Sequence, residues 1–548
     1  MKRKITLFSM CCFVSLLSFA AQNIYISPAG DDDGDGTQVS PYATLSKASS
    51  VVSEDGAVIY VAAGTYVFAE TAVIGAFDQT IVGEDAATTV FDGDNAVAFI
   101  DGVTAMQSSG KSLTVQKIAF KNGKMNVSTV ETGGAAIRMG MKTNLTAEDC
   151  YFYNNRSEST NNITTWGGAI YFCGNEMTVD RCFFEENSSK SNANEGYGGA
   201  IVARHLFNLG EGGHLVAGAT NATIKNSTFY KNHCKSKGGA VYFNKQLNDL
   251  LDDEDATFVV QNCVFLENTG GKDAQLGAAI ALSSGTNSAN NKMQTIILTN
   301  NTLCNNYMKD DAGVPKNQNT VLLEGFRYVS YMANNLITSD VSETGFTLFA
   351  NQPTPIEYGR NNIIDLVNAN INGTDFTTDA AVMNNELTAV TPEDLVLNTS
   401  LSGYPIGATF NVPYLEIGKT SPAVDTGVNS YVVNTVANPA PADPIEYVLQ
   451  SDIQGSDIEN DMRDVGAFEF SSGTSIANNR SDATISIVKA SNGLKIFNLQ
   501  QDDVIRVFNM HGMLISSNQA VGSQFFLPLS TKGLYLISIN GKSSKILF

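Results

Sequence analysis

Two short motifs alternate along the middle of the chain. The first has two small residues, an alanine and then a β-branched residue, and its copies are Gly134-Ala135-Ala136-Ile137, Gly167-Gly168-Ala169-Ile170, Gly198-Gly199-Ala200-Ile201, Gly238-Gly239-Ala240-Val241 and Gly277-Ala278-Ala279-Ile280. The second is Phe-x-x-Asn, with copies at Phe152–Asn155, Phe184–Asn187, Phe229–Asn232, Phe265–Asn268 and, in degenerate form, Leu303–Asn306. Their strict alternation defines a repeat of about 30 to 40 residues.

A repeat of this length, built from short apolar strands that end at Gly or Asn, cannot bury its apolar face alone, so neighbouring repeats must stack. Stacking in one frame places Ile170 over Ile201 and Phe152 over Phe184. The glycines permit positive φ at tight corners, and an inward Asn hydrogen-bonds its copies above and below. Leucine-rich and WD-type repeats do not fit, because their leucine spacing and Trp-Asp dipeptides are missing. The pattern predicts an all-β fold, a parallel β-solenoid.

The two interleaved motifs, over residues 133–306, resemble the repeat of polymorphic outer membrane proteins, which belong to the pectate-lyase-like superfamily. That resemblance implies a right-handed parallel β-helix, which we expect over residues 21–470. Residues 23–66 resemble the N-terminal cap of secreted β-helix proteins, with a short capping helix over 42–52. The segment from Arg463 to Glu469 resembles a closing motif of bacterial surface β-helix proteins.

Composition shifts after the solenoid. Residues 471–483 are rich in Ser, Gly and Asn and read as a flexible linker. Residues 484–548 alternate short apolar strands with turns, which predicts a small β-sandwich. The frame that includes Val507–Gly512 and Gly533–Ile537 resembles the type A C-terminal sorting domain of type IX secretion. This resemblance implies that the type IX secretion machinery is a partner, with an immunoglobulin-like binding module as the alternative.

The first 20 residues combine a basic start, an apolar run and small residues before a cleavage site after Ala20, which indicates a secretory signal peptide. We expect no transmembrane segment after its removal, and a protein that is secreted or attached to the outer cell surface. With 34 basic and 55 acidic residues, the formal net charge is −21. Such a surface repels phosphate, so nucleic acid is not an expected partner.

Three cysteines, Cys150, Cys182 and Cys263, occupy one frame of the repeat. Residues in one frame lie over one another, so we interpret them as a buried column of small apolar thiols. Because the chain is predicted to be exported, disulfides stay an alternative.

The best binding candidates follow from alignment of the glycine motifs. The residue after the inward Ile forms a column of Arg138, Tyr171, Val202, Tyr242 and Ala281, and alternation along a strand turns that column outward. Exposed, stacked tyrosines can bind sugar rings, so Arg138, Tyr171 and Tyr242 are candidate carbohydrate-binding residues. Outward packing under an insertion at 206–223 is the competing interpretation.

Few residues in the sequence point to metal binding or catalysis. Asp31, Asp33 and Asp35 alternate as in a calcium loop, so calcium is a possible cofactor, although the acidic residue that an EF-hand needs is replaced by Tyr42. No catalytic set assembles from the sequence. We therefore expect a non-catalytic adhesin or glycan-contacting scaffold that binds a polysaccharide or a host or cell-surface ligand. The alternative is a secreted polysaccharide lyase or glycoside hydrolase that acts on the outer face of the β-helix.

Overall fold

The structure is a computed structural model, and it describes residues 22–338 with gaps. The gaps in that range are 104–109, 129–131, 193–194, 211–212, 217–219, 246–254, 272–276, 285–293, 310–313, 318–319 and 325–327. Beyond residue 338 it describes the strands given below and a few residues around positions 362, 421–427, 453, 463–467, 499 and 520. The predicted leader, 1–20, and the predicted linker, 471–483, lie outside the described residues.

The chain divides into two compact units, residues 1–470 and 471–548. The first unit is a parallel β-helix, as predicted. After the strand Asn144–Glu148 the chain passes through four further short strands, and it returns at Glu176–Asp180 to pair in parallel with the strand where the turn began. Each turn adds one strand to each of several parallel sheets, which we number 1 to 5 in chain order.

The bounds of the strands follow, sheet by sheet. The strands of sheet 1 are Asn23–Ile26, Ala57–Val61, Gln79–Gly83, Ser112–Gln116, Asn144–Glu148, Glu176–Asp180, Asn221–Lys225, Ala256–Gln261, Gln294–Thr299, Tyr328–Ala333 and Ile356–Arg360. Those of sheet 2 are Gly64–Val67, Thr89–Asp92, Ala119–Lys121, Tyr151–Tyr153, Phe183–Glu185, Thr228–Tyr230, Val264–Leu266, Thr302–Cys304, Leu336–Thr338 and Ile363–Ile364.

The strands of sheet 3 are Lys124–Asn126, Arg156–Ser159, Ser188–Ser191, His233–Cys234, Thr269–Gly271, Tyr307–Lys309 and Pro315–Asn317. Sheet 4 has Thr132–Gly133, Thr165–Trp166 and Gly196–Tyr197. The strands of sheet 5 are Ala72–Val73, Ile100–Gly102, Ile137–Met139, Ile170–Phe172, Ile201–Arg204, Val241–Lys245, Ile280–Ser284, Val321–Glu324, Leu348–Asn351, Asn370–Ile371 and Thr374–Asp375.

Like side chains superpose along the core, as the repeats predicted. Ile170 pairs with Ile201, and Ile201 with Val241. Phe152 stacks on Phe184 with ring centroids 4.5 Å apart and planes 4° from parallel. These residues are fully buried. The stack is therefore the hydrophobic core of the unit.

The asparagine of Phe-x-x-Asn forms a buried hydrogen-bonded ladder. The Nδ2 atom of Asn155 donates to Oδ1 of Asn187 at 3.0 Å, and that of Asn187 donates to Oδ1 of Asn232 at 2.9 Å. The same pattern continues through Asn268 to Asn306. Each side chain thus satisfies its copy on the next turn, which is what makes a buried amide tolerable at this corner.

Glycine is required at the corner before sheet 5. Gly167 has φ +61°, and a Cβ atom there would lie 2.1 Å from the carbonyl oxygen of Ile170. No L side chain fits at that distance, which explains why glycine occupies this position in each motif copy.

The six cysteines after the predicted leader are buried, and no disulfide joins them. Cys150, Cys182 and Cys263 occupy the same position on different turns of the solenoid, as expected. Ser227 lies in the column between Cys182 and Cys263, and its Oγ accepts the backbone N–H of Cys182 at 3.0 Å. Asn301 continues the column and accepts the N–H of Cys263. Thiol, hydroxyl and amide side chains therefore all occupy this buried position.

A helix packs at the N-terminal end of the solenoid, and a later segment packs against several of its turns. The helix Leu45–Ser50 has Thr44 as its N-cap and is shorter than the predicted 42–52. Arg463 is fully buried, and its Nη2 atom donates to Oδ1 of Asn262 at 2.9 Å. The backbone N–H of Ala467 donates to Oγ1 of Thr302. The closing segment therefore packs against earlier turns.

Antiparallel pairs also occur in this unit. Three are separate hairpins, Leu206–Gly210 with Gly213–Val216, Asn398–Ser402 with Val412–Glu416, and Ser430–Val433 with Ile445–Val448. The last strands of sheets 3 and 5, Pro315–Asn317 and Thr374–Asp375, are also antiparallel to their neighbours. In the described part of the chain no helix is long and apolar enough to cross a bilayer.

The second unit is a small β-sandwich, as predicted. One antiparallel sheet has Ser486–Ala490, Gly493–Phe497 and Gln524–Pro528, and the other has Leu514–Gln519, Val504–Asn509, Leu534–Ile539 and Lys542–Leu547. Leu494 and Ile496 of the first sheet share one buried cluster with Val507 and Ile537 of the second. The two sheets therefore enclose a common core.

Candidate functional site

The column predicted to bind carbohydrate lies on sheet 5 in the expected register. Arg138 pairs with Tyr171, Tyr171 with Val202, Val202 with Tyr242, and Tyr242 with Ala281. The expected exposure is wrong, because Tyr171 is 0% and Tyr242 3% exposed. Neither ring offers a free face to a ligand.

Aromatic residues that directly precede the glycine corners pack against this column. Trp166 and Tyr197 stack with ring centroids 4.7 Å apart, and Tyr197 stacks on Tyr242 at 4.8 Å. The buried guanidinium of Arg204 lies 4.0 Å from the centroid of the Trp166 ring. Burial raises the pKa of the Tyr242 hydroxyl. Stacked rings with a cation over them stabilise the corner, so the cluster is packing and not a ligand site.

Arg138 lies on the strand before Tyr171 and forms separate contacts. Its guanidinium forms an ion pair with Asp101, the residue paired with it on the preceding strand. Its Nη1 atom also donates to Oγ1 of Thr132 at 3.2 Å. Arg138 is thus held by its neighbours on the sheet surface.

The acidic loop before the capping helix is held by its own turns. The carboxylates of Asp31 and Asp35 each accept the backbone N–H two residues further on. Asp32, which the sequence did not single out, bonds Oγ1 of Thr44 at 2.7 Å and fixes the loop to the helix. The described residues contain no group of three or more His, Cys, Asp or Glu placed to hold a metal ion. The structure therefore does not assemble Asp31, Asp33 and Asp35 into a cation site.

The outer surface of sheet 1, which we call the sheet 1 face, is built from polar columns. Its central column, in register on successive strands, consists of Thr80, Thr114, Thr146, Thr178 and Thr223. These side chains are partly exposed, and successive hydroxyls are about 4.8 Å apart, the spacing of hydrogen-bonded strands.

Ordered amides border the threonine column. Nδ2 of Asn144 donates to Oγ of Ser112 at 3.2 Å, and Nε2 of Gln116 donates to Oε2 of Glu148 at 2.8 Å. The face therefore presents fixed donors and acceptors at a regular interval, on a rigid scaffold.

Two tyrosines stand at the N-terminal end of this face. Tyr25 and Tyr60 pair in register, and their rings stack with centroids 5.0 Å apart and planes 18° from parallel. Tyr60 is 39% exposed. A cavity of about 350 Å³ adjoins them and is lined also by Gln38, Val82 and Glu84. Stacked tyrosines with an exposed ring, which were expected at Tyr171 and Tyr242, are found here instead.

Four charged side chains meet near the edge of the same face. Arg181 contacts Oδ1 of Asp149 through Nε at 2.8 Å and Oδ2 of Asp180 through Nη1 at 2.6 Å. Nζ of Lys225 lies 3.4 Å from the same Asp180 oxygen, and Nδ2 of Asn226 donates to its other oxygen. The carboxylates raise the pKa of Arg181. We call Asp149, Asp180, Arg181 and Lys225 the charged quartet.

A second polar cluster lies on the outer surface of sheet 2. The Tyr151 hydroxyl donates to the Glu185 carboxylate, and the Tyr151 ring stacks on Phe183 at 5.1 Å. Burial is the main cause that raises the pKa of Glu185. Lys121 lies over the Tyr151 ring at 5.5 Å. The residues on either side of the motif phenylalanine point outward and form this cluster. The sequence analysis considered only the inward phenylalanine, so the cluster was missed.

Comparisons with known proteins add no assignment. No family model matches the chain, and no curated protein does. Among solved structures, a rhamnogalacturonan lyase has a TM-score of 0.37 and 15% identity, over 73% of this chain and 97% of that one. A pectin methylesterase mutant in complex with a hexasaccharide has a TM-score of 0.26 and 11% identity over 60% and 94%. A pectin methylesterase from Aspergillus niger has a TM-score of 0.23 and 14% identity over 69% and 93%. Likeness at this level carries no functional argument.

Proposed function

We propose that this chain is an exported, non-catalytic scaffold of the adhesin type that contacts glycans through the sheet 1 face. The observation that supports the proposal is a combination of features on one rigid surface. Tyr60 is exposed and stacks on the half-buried Tyr25, a cavity lies beside them, and a column of threonine hydroxyls lies on the following strands. Aromatic faces bind the C–H faces of sugars, and hydroxyls and amides exchange hydrogen bonds with sugar hydroxyls.

The basic start and apolar run of residues 1–20 support export, and the resemblance of residues 484–548 to a sorting domain supports delivery by type IX secretion. On this proposal the mature protein is secreted or attached at the outer cell surface. Mass spectrometry of the mature surface protein tests this directly. Loss of residues 484–548 is expected, and a mature protein that retains them contradicts the sorting proposal.

The glycan proposal is tested with the purified chain on a panel of neutral and acidic polysaccharides. The informative variant is Thr146→Val with Thr178→Val, which removes two hydroxyls from the central column. Valine is compatible with this surface, because Val259 pairs with Thr223 in the same column. We expect binding of at least one neutral polysaccharide, weakened about 5- to 150-fold in the double variant, since each of the two lost hydrogen bonds contributes about 0.5–1.5 kcal/mol. Unchanged binding would place the contact elsewhere.

A second function, polysaccharide lyase or glycosidase, is favoured by one observation. The charged quartet brings two carboxylates, an arginine and a lysine to one point, which is the equipment such enzymes need. Its charges neutralise one another, so the non-catalytic proposal has preference. Unsaturated or reducing products released from a polysaccharide, and abolished in Asp180→Asn, would establish the enzyme instead.

A further inference from the structure

The cavity beside Tyr60 lies next to a column of side chains that changes from tyrosine to valine. Tyr25, Tyr60 and Val82 occupy the same outward position on three successive strands of sheet 1. The first two rings stack on each other, which covers one face of each. All three side chains belong to residues that line the cavity of about 350 Å³. The cavity therefore runs along the ends of these strands, beside the rings of the tyrosine pair.

The chemistry around this space is suited to one ring with polar substituents. The apolar surface comes from Tyr60, Val82 and Pro41, and the polar groups include the side chains of Gln38 and Ser27. Gln38 is exposed, so its amide can reorient toward a ligand. A flat ligand whose faces carry C–H bonds and whose rim carries hydroxyls matches this arrangement.

Charge selects among such ligands. Glu84 is the only ionisable carboxylate that lines the cavity in the described part of the chain, and no lysine or arginine lines it. The chain as a whole has a formal net charge of −21. A uronic acid or a sulfated sugar would therefore be repelled, whereas an uncharged sugar is not.

We propose that this cavity is a binding site for a single uncharged pyranose ring, stacked on the free face of Tyr60. This inference rests on the proposed glycan-contacting function and deepens it. On this proposal the bound ring is a chain end or a side branch, and the polymer backbone does not thread through the cavity.

The test is calorimetric titration of the full chain with neutral monosaccharides, with their di- and trisaccharides, and with acidic counterparts. We expect a neutral pyranose to bind and its affinity to change little from disaccharide to trisaccharide. Tyr60→Ala is expected to weaken this binding at least about tenfold, and Tyr60→Phe is expected to retain it. Val82→Phe, which enlarges a residue that lines the cavity, is expected to abolish it. Tyr153→Ala, on the outer side of sheet 2, is the matched control and is expected to bind normally.

The outcomes separate this site from the wider proposal. Neutral sugars that bind equally well to wild type and Val82→Phe overturn the cavity site, and the sheet 1 face can still contact polymers. Preference for acidic sugars also overturns it. If small neutral sugars bind through Tyr60 but no polysaccharide responds to the threonine substitutions, the cavity site stands and the polymer-contacting face fails.

Discussion

The asparagine ladder gives the sharpest prediction about how the solenoid is stabilised. Substituting Asn187→Ala deletes four hydrogen bonds, two accepted by its Oδ1 atom from Asn155 and two donated by its Nδ2 atom, to Phe152 O and to Asn232 Oδ1. All of them are buried. At about 0.5–1.5 kcal/mol each, the loss in free energy of unfolding is about 2–6 kcal/mol.

Urea denaturation followed by circular dichroism measures this loss, and a shift in midpoint without a change in slope identifies it as a change in stability. Asn161→Ala is the control, because Asn161 is exposed, and it is expected to change stability by less than about 0.5 kcal/mol. The Asn187→Asp variant buries a carboxyl group. Because burial favours the protonated form of that group, the variant should become more stable relative to wild type on acidification. A loss below about 1 kcal/mol in Asn187→Ala would refute the view that the ladder holds the turns together.

Two further predictions concern the half-buried His233 and the buried Arg463. Burial lowers the pKa of His233 to about 3, from 6.5. Below about pH 6.5 this side chain therefore binds a proton in the unfolded chain but not in the folded chain. His233 should make the protein about 2 kcal/mol less stable at pH 5 than at pH 7. Denaturation curves at the two pH values measure this difference, and His233→Gln should remove it. Arg463→Ala empties a buried site and removes the bond to Asn262, so it should lower the free energy of unfolding by about 2–5 kcal/mol. An Arg463→Ala chain as stable as wild type would show that the closing segment does not secure the last turns.

The repeats in the sequence were sufficient to predict the fold and even the register of individual columns. Spacing alone brings Tyr171 and Tyr242 into one column, because strands of successive turns must pair in the same frame. The spacing of the repeats does not show which other residues pack over a column. Trp166 and Tyr197 lie at the corner before sheet 5, outside the aligned motif, and their rings account for the buried packing that the alternation rule could not show.

The stacked tyrosines at the N-terminal end of sheet 1 were missed because the repeats do not extend to them. Tyr25 and Tyr60 belong to the cap, where no repeat aligns them, and the segment was interpreted as a structural end of the solenoid. Their register became visible only when the strand Asn23–Ile26 was seen to pair with Ala57–Val61. Similarly, Asp149 and Asp180 lie on successive turns and meet through Arg181 because the turns stack, a proximity that separation in sequence hides.

A crystal structure of the chain with a bound neutral oligosaccharide tests the central claim most directly. The account predicts a sugar ring packed against Tyr60 in the cavity beside Val82. An oligosaccharide bound instead on the outer surface of sheet 2, around Tyr151 and Glu185, would contradict it.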